Sequence, residues 1–244
     1  MSIQFGSASA VTGQIAQGAH PQPPSFPMTM SVWFYSNRTT GREPLFSFNC
    51  IDNDTGDFFE LALSMLSNAT ATSRRVEAVC YDGVVGVTRA QTATGVGAGW
   101  STNSWVHAAG VFQGASRVAY LNGGFTGTNT TSYSDPSNNI SNILVNLNYD
   151  NMSFQGNGHN ATGQLVSMAE AAIWDVALTT DEILSLSKGV KPKTIRPESL
   201  IFYSPLVRGG SSSVPDETGN APLTTYNFAT EYTPTYTDHT RRYG

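Results

Sequence analysis

Three glutamates and one histidine stand in apolar segments, where an ionisable side chain either stabilises the fold or does chemistry. Glu60, Glu77 and Glu170 each occur singly, and His107 lies within the apolar run Trp105–Phe112. Glycosidases need two carboxylates on one strand face, about 5–5.5 Å apart for retention and further for inversion, and no segment carries such a pair. No Ser/Asp or Cys partner is linked to His107 by a motif. We therefore interpret all four residues as structural and predict that the protein is not an enzyme.

Oxygen-bearing side chains fill the segment 52–57. Asp52, Asp54 and Asp57 are spaced as in calcium loops, but the distal bidentate glutamate and flanking helices of an EF-hand are missing. An Asx-rich turn is the favoured interpretation, and a calcium site on these three residues is the alternative. No other cofactor is expected.

Three aromatic residues, Trp100, Tyr133 and Tyr149, stand in loop-like stretches. Rings in such positions can stack on a sugar, and they are also common at protein interfaces. We treat the three as candidate carbohydrate-binding residues.

The composition excludes several classes of protein. Charged residues make up 13% of the 244 residues and the net charge is −5, which gives no basic surface for nucleic acid. No apolar run approaches the ~20 residues that span a bilayer, and the N-terminal segment lacks the features of a signal peptide. Cys50 and Cys80 are expected to be buried free thiols.

Short apolar runs separated by turn residues predict strands. The runs Trp105–Phe112 and Arg117–Leu121 form a predicted hairpin, and Met28–Tyr35 alternates between a core face and an amphipathic face. A strand that is apolar on both sides, as the first run is, belongs in the middle of a layered structure. Thr179 and Glu182 form a capping box that predicts one short helix ending at Gly189.

The segment 222–244 has no periodic pattern and is predicted to be an extended arm that either frays or lies on a partner. The aromatic residues of this arm are the candidate contacts: Tyr226, Phe228, Tyr232, Tyr236 and Tyr243.

The order of these features resembles the concanavalin A-like lectin/glucanase superfamily, in its laminin G-like branch. The similar pieces are MTMSVWFY at 28–35, PLFSF at 44–48, WVHAAGVF at 105–112, and EAAIWDVAL at 170–178 before the helix. The resemblance implies an all-β fold, a two-sheet antiparallel jelly-roll sandwich with one short helix, over residues 1–221, followed by the arm at 222–244.

Two functions fit this resemblance. The first is a non-enzymatic structural protein of a virion, such as a bacteriophage capsid-decoration or tail-associated protein, made in the host cytoplasm. Such a protein would bind other virion proteins and form a homo-oligomer, for example a trimer. The alternative is a lectin-like module that binds surface glycans, with or without calcium.

Overall fold

The computed structural model describes residues 3–5, 15–67, 70–83, 85–93, 99–148, 166–206 and 213–226. These residues form fifteen strands, one α-helix and three short 3-10 turns. The strands are β1 (Ile3–Phe5), β2 (Ile15–Ala19), β3 (Met28–Ser36), β4 (Gly41–Asp52), β5 (Asp57–Ser67), β6 (Arg75–Asp82), β7 (Gly86–Gln91), β8 (Trp105–Gln113), β9 (Ser116–Leu121), β10 (Phe125–Asn129), β11 (Ile140–Leu147), β12 (Val166–Trp174), β13 (Leu200–Ser204), β14 (Ser213–Val214) and β15 (Leu223–Tyr226). The helix, α1, spans Thr180–Ser187.

The strands form two antiparallel sheets. Sheet A has the order β1-β12-β3-β8-β9-β10, with β13 also paired to β12, and sheet B has the order β14-β15-β2-β11-β4-β5-β6-β7. Side chains that alternate along the inner faces of the two sheets form one continuous core, which includes Phe34, Phe46 and Phe112. The predicted all-β sandwich is therefore confirmed.

The hairpin β8–β9 lies inside sheet A, as its apolar sequence indicates. β8 pairs with β3 on one side and with β9 on the other. Arg117, Ala119 and Leu121 alternate with Val118 and Tyr120 along β9, point towards sheet B and are buried. The turn is tighter than predicted, since Gln113 and Ser116 pair with each other and leave a two-residue connection.

Helix α1 covers part of the outer face of sheet A. Thr179 accepts a hydrogen bond from the Glu182 amide while the Glu182 carboxylate accepts one from the Thr179 amide, so the predicted capping box is present. Ile183 and Leu186 pack on Ala109, Trp174 and other apolar side chains of the sheet. No helix in the described part of the chain is long and apolar enough to cross a membrane.

Sequence alone missed the strands β7 and β10, which lie in Gly- and Thr-rich stretches. β10 contacts the neighbouring edge of sheet B, where a Cβ on Gly127 would lie 1.6 Å from the carbonyl oxygen of Gln91. Ala93 also donates a backbone hydrogen bond to the Thr126 carbonyl, at 3.3 Å. This close approach requires glycine, and it joins the two sheets along one side.

The sandwich extends further towards the C-terminus than predicted. β15 pairs with β2, and Leu223 is buried in the core. Residues 223–226, which were predicted to begin the extended arm, thus form a strand of sheet B, with the Leu223 side chain on its inner face. Four of the arm's candidate contacts lie outside the described residues: Phe228, Tyr232, Tyr236 and Tyr243.

Both cysteines are buried free thiols, as predicted. Burial is the main cause that raises the pKa of Cys50 to about 12, and it also raises the pKa of Cys80. Both therefore act as small apolar side chains of the core.

Candidate functional site

The outer face of sheet B carries a cluster of polar side chains that lie outside the hydrophobic core. We call it the polar face, and its members alternate with core residues along β2, β4, β5, β6 and β11. They are Gln17, Ser47, Asn49, Glu60, Ser64, Glu77, Tyr81 and Asn146. All except Gln17 are less than a tenth exposed. Buried polar groups need hydrogen-bond partners, so each of these side chains has a partner to be accounted for.

Three strands of the polar face are linked by a row of amides. Gln17 Nε2 donates to Asn146 Oδ1 at 2.6 Å, and Asn146 Nδ2 donates to Ser47 Oγ at 3.2 Å. The register places these residues directly opposite one another across β2, β11 and β4. The members of this row therefore act as hydrogen-bond partners for one another and link the three strands.

Asn49 is the exception on this face. It lies between Leu144 on β11 and Glu60 on β5, and Tyr81 follows on β6. The Asn49 side chain is 1% exposed, and its Nδ2 has no hydrogen-bond acceptor among the described residues. A buried donor without an acceptor costs about 1–3 kcal/mol. Glu60, the cross-strand neighbour of Asn49, is also 1% exposed.

Glu77 lies at the other end of the polar face and is held by several donors. Arg42 donates from Nε to Oε2 at 2.5 Å and from Nη2 to Oε1 at 2.9 Å, while Ser64 Oγ donates at 3.1 Å. Gln91 also donates to Oε1, and Arg89 Nε lies 4.0 Å from Oε2. Burial alone would raise the pKa of Glu77, but the bonds from Arg42 and Gln91 outweigh it and hold the pKa below its ordinary value. Glu77 is thus a structural carboxylate, as predicted.

The predicted glutamates do not form a catalytic pair. Glu60 is opposite Tyr81 and Glu77 is opposite Ser64, so the two glutamates are four positions apart along the strands, about 14 Å. Inverting glycosidases need ~6.5–9.5 Å. Glu170 lies on sheet A, where the Tyr203 hydroxyl donates to its Oε2 at 2.5 Å.

His107 has a partner that sequence reasoning did not find. Its Nε2 lies 2.8 Å from Ser31 Oγ, and its ring packs edge-on against Trp33 at a centroid distance of 5.2 Å. The register of β3 against β8 makes this contact, and no sequence motif encodes it. Because His107 is 0% exposed and Ser31 is 2% exposed, the pair is packed as part of the fold.

The structure corrects the candidate sugar-stacking residues. Trp100 is 2% exposed and Tyr133 is 6% exposed, so neither ring offers a face to a sugar. Trp100 packs against Phe34 at 5.3 Å. The Tyr133 hydroxyl donates to the Gly86 carbonyl at 2.8 Å, and the Arg117 guanidinium lies 4.6 Å from the Tyr133 ring centroid. Both rings anchor loops to the core, and Tyr149 lies outside the described residues.

Half-exposed aromatic rings occur instead on the outer face of sheet A. Trp33, Tyr35 and Trp105 lie on this face of β3 and β8, and the Tyr35 and Trp105 rings are 5.8 Å apart. The amphipathic alternation in Met28–Tyr35 indicates that two of them, Trp33 and Tyr35, point away from the core.

The aspartates of segment 52–57 are engaged in a turn. Asp52 accepts hydrogen bonds from Ser137 N at 2.8 Å and Oγ at 2.7 Å, and Asp54 accepts one from Asn139 Nδ2 at 2.8 Å. The bonds from Ser137 lower the pKa of Asp52. Among the described residues, no three His, Cys, Asp or Glu side chains come together. The donors around Asp52 fit an Asx turn, and calcium binding at Asp52, Asp54 and Asp57 stays a prediction.

Residues 9–184 match the Laminin_G_3 family model, described as the concanavalin A-like lectin/glucanases superfamily. The fold is similar to a putative carbohydrate binding protein from Bacteroides ovatus (TM-score 0.60, 15% identity), with 92% of this chain and 58% of that protein covered. It is also similar to a heptameric SAP-like pentraxin from Limulus polyphemus (TM-score 0.59, 12% identity, 93% and 95% covered). A third similar structure is tailspike protein 2 from an Escherichia coli O157:H7 bacteriophage (TM-score 0.53, 14% identity, 84% and 26% covered).

At these identities the likeness establishes the fold alone. The chain spans a little over half of the Bacteroides protein and about a quarter of the tailspike. No curated protein sequence matches the chain.

Proposed function

We propose, since this chain belongs to the Laminin_G_3 family of the concanavalin A-like lectin/glucanases superfamily, that it is a non-catalytic, lectin-like module that binds carbohydrate on the polar face of sheet B. The observation that carries the proposal is the buried amide of Asn49, which lacks an acceptor and lies beside the Glu60 carboxylate. Sugars are recognised by such fixed donors and acceptors beside an apolar wall.

The surroundings of Asn49 supply the other parts of a sugar site. Tyr81 lies next to Glu60 in the same row, and an apolar group of Ala62, Val79 and Tyr81 adjoins it. The row of amides through Asn146 fixes the neighbouring positions. A rigid arrangement of this kind lowers the entropy that is lost on binding.

Access to this site requires movement. Asn49 and Glu60 are each 1% exposed, so a ligand reaches them only when the surrounding side chains of the polar face change conformation. We expect association below the ~10⁵–10⁷ M⁻¹s⁻¹ range of unhindered binding.

A glycan panel tests the proposed function. The protein is expected to bind a defined subset of glycans, and a comparison with and without a chelator shows whether calcium takes part. The measurement is binding to an immobilised panel, followed by calorimetry with the glycans retained. An absence of sugar-dependent signal in both conditions would remove the proposal.

A second candidate function is a structural role in a virion, for example as a capsid-decoration or tail-associated protein that binds other virion proteins as a homo-oligomer. The likeness to a bacteriophage tailspike favours it. The two functions are compatible if the module recognises a host glycan from the particle.

A truncation after Tyr226 tests the virion role. Removing residues 227–244 leaves β15 and its buried Leu223 in place, so the sandwich is expected to fold as before. If the segment contacts other virion subunits, sedimentation and particle occupancy are expected to fall. Unchanged occupancy would show that residues 227–244 do not contact other virion subunits.

A further inference from the structure

Half-buried apolar side chains border Asn49 on the polar face. Ile51 pairs with Phe58 one row beyond Asn49, about 7 Å along the strands. Leu144 on β11 pairs with Asn49 itself. All three apolar side chains are partly exposed, so this border of the site is open to solvent. We call Ile51 and Phe58 the apolar pair.

The row on the opposite side of Asn49 is closed. It contains Ser47, Ala62 and Val79, and none of them is more than 1% exposed. A ligand therefore approaches Asn49 across the apolar pair, and the part of the ligand nearest to the Asn49 amide stays in contact with that pair.

Asn49 and Glu60 define what this part of the ligand must offer. The Nδ2 donor of Asn49 is buried and has no acceptor among the described residues, so the ligand must bring an acceptor oxygen. Glu60 lies directly opposite Asn49. A carboxylate accepts at both of its oxygens, so Glu60 can take a hydrogen bond from a ligand donor in addition to the contacts that it already makes. The matching group has an acceptor, a donor and an apolar end close together.

We propose that this site recognises the acetamido group of N-acetylated amino sugars. This inference rests on the proposed function and names its class of sugar. The acetamido carbonyl oxygen accepts from Asn49 Nδ2, and the acetamido N–H donates to the Glu60 carboxylate. The methyl group packs against the apolar pair.

Other sugar substituents match the site less well. A hydroxyl group at the same carbon can bond to Asn49 and Glu60, but it leaves the apolar pair without a contact. A sugar carboxylate would place a second negative charge next to Glu60. The acetamido group is uncharged and matches the donor, the acceptor and the apolar border together.

Side-chain amide signals in ¹H–¹⁵N spectra test the contact at one atom. N-acetylglucosamine and N-acetylgalactosamine are titrated against their parent sugars, glucose and galactose. The Asn49 Nδ2 signals are expected to shift saturably with at least one acetamido sugar, which binds about tenfold more tightly than its parent. The signals of Asn220, which donates to the Ile201 carbonyl at 2.9 Å, are expected to stay in place. Asn49 signals that respond equally to both members of each pair would overturn the inference.

The N-formyl derivative of the retained sugar tests the methyl contact, because it keeps the carbonyl and the N–H and lacks only the methyl group. Its affinity is expected to be about fourfold lower than that of the N-acetyl sugar. In the variant Ile51→Thr this ratio is expected to fall towards one. Val118→Thr, at a half-buried position on sheet A, is the matched control and is expected to keep the ratio. Unfolding midpoints show that both variants fold, and equal affinities for the two sugars in the wild type would overturn the inference.

Failure of this inference and failure of the proposed function give different results. Glycan binding without a preference for acetamido sugars overturns the inference and leaves the proposed function standing. An absence of binding to every glycan of the panel removes the proposed function, and the inference falls with it.

Discussion

Replacing Asn49 by alanine is expected to abolish glycan binding while leaving the free protein as stable as the wild type, within about 1 kcal/mol, or more stable. The Asn49 amide is buried without an acceptor in the described structure, so its removal ends a desolvation cost of about 1–3 kcal/mol. The small cavity that the change leaves offsets part of this gain. Urea unfolding measures the stability, and calorimetry measures the binding.

Asn146→Ala is the matched control on the same sheet face. Asn146 is 0% exposed and bonds to both Gln17 and Ser47, so its removal takes a hydrogen bond from each of them and is expected to cost about 1–3 kcal/mol. The opposite effects of two asparagines on stability separate a ligand-binding amide from a structural one. If Asn49→Ala destabilises the protein as much as Asn146→Ala, Asn49 is structural and the proposed site is wrong.

Glu77→Gln is expected to lower the free energy of unfolding by about 3–5 kcal/mol at pH 7, because it leaves arginines without their buried counter-charge. Glu77 is 0% exposed and accepts both nitrogens of Arg42. The exposed Glu198→Gln is the control, with an expected change within about 0.5 kcal/mol. Urea unfolding at pH 7 gives both values.

The same substitution predicts how stability depends on pH. Because the pKa of Glu77 is lowered in the folded state, the unfolded chain takes up the proton first as the pH falls. The contribution of Glu77 is therefore complete above the ordinary glutamate pKa and is lost as the pH drops through the folded value. Wild type and Glu77→Gln are expected to converge in acid, and a constant difference from pH 7 to pH 3 would contradict this.

The fold could be predicted largely because its strongest signals are local. The alternation in Met28–Tyr35, the apolar hairpin of β8 and β9, and the capping box of α1 each lie within one element, and all three are present. β7 and β10 were missed, since Gly- and Thr-rich strands carry little hydrophobic pattern.

The site could not be predicted because it depends on strand register. Gln17 and Asn146 are 129 positions apart and meet only when β2 pairs with β11. The prediction that Tyr133 stacks on a sugar failed for a related reason. Tyr133 lies in a polar stretch of sequence, but its long-range contact with Arg117 places it in the core. Glu60 was identified as an isolated carboxylate, but its neighbour Asn49 belongs to another strand.

The pairing of β15 with β2 places Tyr226 opposite Ile15. Two strands this far apart in the sequence can pair only by closing a very long loop, and such non-local pairings slow folding. The rate at which sheet B is completed therefore depends on loop closure and not only on its local turns.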